Sequence, residues 1–196
     1  MWRDELEKFA KKLQHPAWGY IHSKRVLDLS IKLAKEQDYD IDLDSITAAS
    51  FLHDIGAFPG YRVENTDHSD RSIQLIDEIL PKYNFPSEKI PIVKEIIEGH
   101  MFYREPSSNI ESIIFHDADV LDFMGFIGIA RLLSIVGLDD WTPDLQSAIK
   151  LIDQFSKELP NKLHSPLAKK IGERRKREMV SFLTGLSEET NDLKML

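Results

Sequence analysis

Apolar residues recur along this chain at spacings of three and four positions, while the alternation typical of strands is almost absent. This period places apolar side chains along one face of an α-helix. A clear example lies within a helix predicted at about 20–36, where the stripe is His22, Val26, Leu29 and Leu33. Further helices are predicted at about 2–14, 44–53 (with Asp44 as its N-cap), 67–80, 87–100, 110–126 (with a kink at Gly125), 143–158 and 164–185. The fold class is therefore predicted to be all-α.

Turns containing proline or glycine separate the predicted helices, and no stretch has the composition of a long linker. We therefore expect one all-α domain over residues 1–186. Its functional motifs would lie at about 20–135, followed by C-terminal helices at about 143–185. The polar residues 187–196 are predicted to form a flexible tail.

Composition narrows the class of protein further. The 196 residues are 42% hydrophobic and 30% charged, which is the balance of a soluble globular protein. A net charge of -8 argues against a nucleic-acid partner. The sequence contains no cysteine, so disulfides and thiolate-bound metals are excluded. The N-terminal residues lack a signal-peptide pattern and no apolar run could span a membrane, so we expect a cytoplasmic protein.

One stretch joins apolar and ionisable residues abruptly. The small and apolar run 48–52 is typical of a buried helix, and it ends at His53, Asp54, Ile55 and Gly56. Burying an imidazole beside a carboxylate is unfavourable unless another group pairs with them. A divalent cation would do so, since imidazole and carboxylate are among its usual ligands.

Other helices supply similar side chains. His22, His68 and His100 each lie on the apolar stripe of a separate predicted helix, and Asp119 is a carboxylate in apolar surroundings. A single histidine of this kind is more often a core residue than a ligand. Four such histidines, counting His53, are hard to explain by packing, because converging imidazoles without a cation would leave nitrogens unsatisfied.

Three stretches of sequence carry a more specific pattern. They are His22-Ser23-Lys24-Arg25-Val26, the segment 48–56, and Asp117-Ala118-Asp119-Val120-Leu121-Asp122 followed by the segment 125–131. Together they resemble the HD-domain superfamily of metal-dependent phosphohydrolases. The third stretch is similar to a bacterial subgroup of predicted HD hydrolases. The resemblance implies an all-α HD bundle with a metal site in its helical core.

The resemblance also implies a role for each motif residue. One divalent ion (Mn, Fe, Ni, Zn or Mg) would be bound by four residues: His22, His53, Asp54 and Asp119. Asp54 would in addition orient or deprotonate the attacking water, and Arg25 would neutralise a phosphate oxygen of the substrate. Asp117 and Asp122 would orient ligands or water around the metal, the alternative for Asp117 being a surface or capping carboxylate.

His68 and His100 match the extra histidines of two-metal members more loosely, since Met101 follows His100 where that subset often has another histidine. They are expected to bind a second ion or to contact substrate phosphate. Ala57 replaces a phosphate-binding lysine that some members carry. Other arginines could supply that charge, although a surface or ion-pair role is favoured for each of Arg62, Arg104 and Arg131.

The reaction implied is hydrolysis of a phosphate mono- or diester, with a nucleotide or another small phosphorylated metabolite as substrate. The loops 57–67 and 101–109 are expected at the mouth of the pocket. Two alternatives stay open: an HD-type ligand-binding or regulatory module without robust turnover, and an HD-type di-iron oxygenase. His15, His116 and His164 adjoin polar or turn residues and are interpreted as incidental, although His116 is close to the Asp119 motif.

Overall fold

Nine α-helices and no strand make up the computed structural model, which describes residues 1–196. The prediction of an all-α fold is confirmed. The helices are α1 (Trp2–Ala10), α2 (Tyr20–Glu36), α3 (Leu43–Leu52), α4 (His68–Ile79), α5 (Ile90–Glu98), α6 (Ile110–Asp122), α7 (Gly125–Leu133), α8 (Leu145–Glu158) and α9 (Pro166–Glu189). Short 3-10 helices occupy Ile55–Ala57, Leu80–Tyr83, Ser87–Lys89 and Leu159–Lys162.

Side-chain caps determine where several helices begin. The α3 helix starts after Asp42, whose Oδ1 accepts a hydrogen bond from the N–H of Asp44 at 3.0 Å. The predicted N-cap, Asp44, is therefore wrong by two positions, because the extended backbone of Asp42 lets its carboxylate reach an otherwise unpaired N–H. At α4, the cap is Asp67, which accepts from the N–H of Ser69 at 2.9 Å.

Two predicted helices are shorter than expected. The first ends at Ala10, because the backbone hydrogen bonds beyond it tighten to the i→i−3 pattern. The predicted helix 110–126 is divided, since Met124 is extended and α7 starts afresh at Gly125. Gly125 has φ of +70°, and a Cβ there would lie 2.6 Å from Glu178 Oε2. The backbone angle is the reason for glycine at this position, because residues with a side chain rarely adopt it.

Backbone contacts divide the chain at residue 119, within α6, into the units Met1–Asp119 and Val120–Leu196. In the first unit α2 packs on α3, and both α3 and α4 pack on α5. The side chains at its centre are fully buried and apolar: Leu6, Val26, Leu33, Ile46, Leu52, Ile76, Ile96 and Ile97. The expectation of a single domain over 1–186, like that of a flexible tail at 187–196, stays a prediction.

In the second unit the helices α7, α8 and α9 pack against one another in pairs. Its core contains a buried ion pair in which Arg131 Nη1 lies 3.0 Å from Asp122 Oδ2. The same guanidinium lies 4.0 Å from the centre of the Phe123 ring. Arg131 therefore has the ion-pair role that the sequence favoured. Along the whole chain, no helix combines the length and apolarity needed to cross a membrane.

Candidate metal centre

Six ionisable side chains meet inside the first unit. His22 lies on α2, His68 is the first residue of α4, and Asp119 lies on α6. His53 and Asp54 directly follow α3, and His100 follows Gly99 after the end of α5. All but two of these side chains are almost fully buried. Asp54 and His68 are 12% and 21% exposed, so solvent reaches the cluster through them.

Four donor atoms form the first half of the cluster. His22 Nε2 lies 3.1 Å from His53 Nε2 and 3.4 Å from Asp54 Oδ2. His53 Nε2 lies 3.2 Å from the same Asp54 oxygen. The fourth atom, Asp119 Oδ1, is 3.2 Å from His22 Nε2 and 3.9 Å from His53 Nε2. Atoms bound at about 2.0–2.2 Å to one ion are separated by about 3–4 Å, so the distance of each carboxylate oxygen from the two histidine nitrogens suits a shared coordination sphere.

The second half of the cluster lies on the other side of the same carboxylate. Asp54 Oδ1 is 3.5 Å from His68 Nε2 and 3.7 Å from His100 Nε2. The two oxygens of Asp54 therefore face different histidines. A metal could be held by either of two residue groups: His22, His53 and Asp119, or His53, Asp54 and His100.

Backbone carbonyls set the direction of two histidine rings. His53 Nδ1 lies 3.0 Å from the Ser50 carbonyl oxygen, and His100 Nδ1 lies 2.6 Å from that of Ile97. A carbonyl oxygen only accepts hydrogen bonds, so each Nδ1 carries the proton. In the neutral ring Nε2 then presents a lone pair to the cluster, as in histidines that bind metal.

Two buried atoms of the cluster make no hydrogen bond: His100 Nε2 and Asp119 Oδ1. His22 Nε2 is close to the Asp119 oxygen, but not in hydrogen-bonding geometry. A buried polar atom without a partner costs about 1–3 kcal/mol. Both atoms are of the kinds that coordinate divalent ions. The donor types, their spacing and these two unsatisfied atoms fit a divalent metal ion.

The charges of the cluster also favour cation binding. Burial opposes ionisation of Asp54, but the neighbouring imidazoles of His53, His100 and His22 together hold its pKa well below the usual range. Burial likewise opposes ionisation of Asp119, and His22 outweighs it and lowers that pKa. Burial lowers the pKa of His68, whereas at His100 the carboxylate of Asp54 outweighs burial and raises the pKa. Both carboxylates are therefore ionised near neutral pH.

The glycine that follows Ile55 lets α4 approach the cluster closely. The N–H of Gly56 donates to Ser72 Oγ at 2.9 Å. A Cβ on Gly56 would lie 2.2 Å from the carbonyl oxygen of His68 and 2.8 Å from Arg71 Cβ. Since the His68 carbonyl belongs to the first residue of α4, only glycine permits this approach. The motif glycine thus helps to place His68.

The remaining predicted residues lie as follows. Arg25 is half-buried on α2, three positions after His22. Asp117 is fully buried on α6, so the surface alternative for this carboxylate is wrong. Asp122 is engaged with Arg131 as described above. His116 does not adjoin solvent as its polar neighbours in the sequence suggested: it is fully buried and its Nδ1 lies 2.7 Å from the Gly99 carbonyl oxygen, while its being incidental to the site stays a prediction.

The family model described as HD domain matches residues 19–124, more than half of the chain. The chain therefore belongs to the HD-domain family. A search of curated proteins finds no match to this sequence.

Solved structures share the fold along most of their length. Bacillus subtilis YpgQ in complex with ADP is 22% identical, with a TM-score of 0.71, and the match covers 95% of this chain and 97% of that one. An HD-superfamily hydrolase from Bacillus thuringiensis is 22% identical, with a TM-score of 0.65 and coverage of 97% and 99%. A predicted HD superfamily hydrolase from an uncultured Thermotogales bacterium is 22% identical, with a TM-score of 0.64, and the match covers 96% of this chain and 90% of that one. The chain thus has the HD-superfamily hydrolase fold, with a core His/Asp cluster suited to a divalent metal.

Proposed function

We propose that this protein is a metal-dependent phosphohydrolase that cleaves a phosphate mono- or diester. The observation that carries the proposal is that His22 Nε2 and His53 Nε2 lie 3.1 Å apart and that each is within 3.2 to 3.9 Å of one oxygen of Asp54 and one oxygen of Asp119. These residues would hold one divalent ion. Such an ion lowers the pKa of bound water and withdraws charge from a phosphoryl oxygen.

Asp54 has the position of a residue that handles the attacking water. Its Oδ2 faces His22 and His53, and its Oδ1, which lies beside His68 on the side that solvent reaches, would orient or deprotonate the water. The lowered pKa of Asp54 keeps this oxygen ionised and ready to accept a hydrogen bond. Its location between the two groups of histidines supports a role in orienting the nucleophile.

His68 and His100 complete the site on the Oδ1 side of Asp54. Their Nε2 atoms could bind a second ion or donate hydrogen bonds to a phosphate oxygen, depending on their protonation. The orphaned Nε2 of His100 favours the second ion, because a buried nitrogen needs a partner even before substrate arrives.

The substrate that we propose is a nucleotide or another small phosphorylated metabolite. The presence of ADP in the similarly folded YpgQ supports a phosphate-bearing ligand. We assign Arg25 to the phosphate, because it follows His22 by about one helical turn and its guanidinium would offset negative charge on a non-bridging oxygen. Asp117 is fully buried on α6, two residues before Asp119, and would help to orient that ligand.

The test is an assay of the purified protein with Mn²⁺, Mg²⁺, Ni²⁺ or Fe²⁺ against p-nitrophenyl phosphate, bis-p-nitrophenyl phosphate and a panel of nucleotides. We expect turnover with at least one ion. In His53→Ala the hydrolysis rate should fall by at least about a hundredfold, which exceeds the effect typical of residues that contact a ligand rather than the metal. The matched control is His164→Ala, which changes an exposed histidine in the second unit. If nothing in the panel is hydrolysed with any ion, the phosphohydrolase proposal fails.

A further inference from the structure

Loop 101–109 is attached to the beginning of α4 by a group of side chains that we call the Asp67 clasp: Asp67, Asp70, Tyr103 and Arg104. Tyr103 Oη donates to Asp67 Oδ2 at 2.7 Å. Arg104 donates from Nη2 to Asp67 Oδ1 at 3.0 Å and from Nη1 to Asp70 Oδ1 at 2.8 Å. Both oxygens of Asp67 are thus bound by residues from one short segment.

The clasp adjoins two histidines of the metal cluster along the chain. Asp67 is the N-cap of α4 and directly precedes His68, the first residue of that helix. Tyr103 and Arg104 follow His100 by three and four residues, in the turn after α5. The clasp therefore connects the backbone that carries His68 to the backbone that carries His100. These are the two histidines on the Oδ1 side of Asp54.

We propose that the Asp67 clasp is a positioning device that sets the distance between His68 and His100, and with it metal affinity on the Oδ1 side of Asp54. This inference rests on the proposed metal-dependent function. It assigns Tyr103 and Arg104 a role that their sequence positions did not reveal, since neither touches the donor atoms directly.

The need for such a device follows from the unequal burial of the cluster. His100 is enclosed by the core, and its ring is held by the Ile97 carbonyl. His68 is the most exposed donor of the six, so packing restricts it less. Tyr103 and Arg104 each bind one oxygen of Asp67, the residue before His68. These hydrogen bonds to a charged group restrict the start of α4 without requiring it to be buried. Groups that hydrogen-bond a metal ligand directly change metal affinity by about 10- to 100-fold, so a contact that acts through the residue before the ligand should have an effect at the lower end of this range.

The experiment compares Mn²⁺ affinities, measured by calorimetry on the full chain. The test variant is Tyr103→Phe/Arg104→Met, which removes the clasp and leaves Asp67 to cap α4. The matched control is Lys94→Met, which removes a different ion pair between α5 and α4, that of Lys94 with Asp77. We expect the test variant to lower Mn²⁺ affinity by about tenfold and the control to leave it unchanged. Arg104→Lys with Tyr103 intact should restore most of the affinity.

A second background separates positioning from a general loss of structure. In His68→Ala, the same clasp variant should no longer lower Mn²⁺ affinity, because the residue through which it acts is gone. An equal loss in both backgrounds, or no loss in either, overturns the clasp inference while the phosphohydrolase proposal stands. If the wild-type protein binds no Mn²⁺ and hydrolyses nothing, both proposals fail together.

Discussion

Replacing Gly56 with alanine adds one methyl group where the turn after Asp54 meets the start of α4. The new Cβ would lie 2.2 Å from the carbonyl oxygen of His68, 2.8 Å from Arg71 Cβ and 2.9 Å from the backbone nitrogen of Ser72. Two of these three contacts are backbone atoms, which cannot rotate away as a side chain can. The chain must therefore shift as a segment.

The size of that shift follows from ordinary contact distances. A carbon and a carbonyl oxygen approach to about 3.3 Å, so the turn and α4 must separate by roughly 1 Å. The movement would carry the His68 ring away from Asp54 Oδ1, which is 3.5 Å from His68 Nε2 in the native structure. Overpacking of this kind destabilises by about 1–3 kcal/mol. A displacement of about 1 Å at a catalytic group can reduce the rate by about a hundredfold.

The assay pairs urea denaturation with the hydrolysis rate on whichever substrate the panel identifies. Gly185→Ala is the matched control, because Gly185 lies inside α9 and a Cβ there meets nothing within 4 Å. We expect this control to stabilise the protein by about 0.5–1 kcal/mol, as alanine does in helix interiors, and to keep full activity. Wild-type stability and rate in Gly56→Ala would refute the close-approach account of the motif glycine.

Three further changes test other parts of the structure. Burial opposes ionisation of Asp42 and Asp44, but Lys89 outweighs it and lowers both pKa values, so the stability from these pairs is present above about pH 4 and lost as pH falls. Lys89→Met should therefore lower the free energy of unfolding by about 0.5–1 kcal/mol at pH 7, with a difference in urea titrations that shrinks toward pH 3. Arg131→Met removes the guanidinium that pairs with the buried carboxylate of Asp122 and should cost about 3–5 kcal/mol in the same titration. Chelating divalent ions should lower the melting temperature, because the bound ion stabilises the folded state by about 2.7 kcal/mol at a free ion concentration of 100 Kd. In His53→Ala, the chelator should leave the melting temperature unchanged.

The helical period predicted much of the site correctly. His22, His68 and His100 were placed on apolar stripes, and the structure brings their Nε2 atoms into one buried cluster with His53. Periodicity succeeds for His22 and His68 because a helix fixes the face on which each residue lies, and the core then brings those faces together. His100 reaches the cluster from the turn after α5, which ends at Glu98 and not at His100 as predicted. The roles of these residues as metal ligands stay predictions.

The contacts that the sequence did not reveal are mostly long-range. His116 bonds to a carbonyl seventeen residues earlier, and no local pattern announces such a contact. Tyr103 and Arg104 reach Asp67 across more than thirty positions. The kink predicted at Gly125 is a complete break, in which α6 ends at Asp122 and α7 starts from the left-handed backbone of Gly125; the apolar period of 110–126 did not show that the helix would end. These features depend on tertiary structure rather than on local propensity.

We propose that His22, His53, Asp54 and Asp119 hold one divalent ion. An anomalous difference map from crystals grown with Mn²⁺ is the sharpest test, because it locates the metal independently of any activity. We expect a peak within about 2.0–2.4 Å of the Nε2 atoms of His22 and His53 and of one oxygen from each aspartate. Mn²⁺ bound elsewhere on the protein, with no peak among these four side chains, would contradict it.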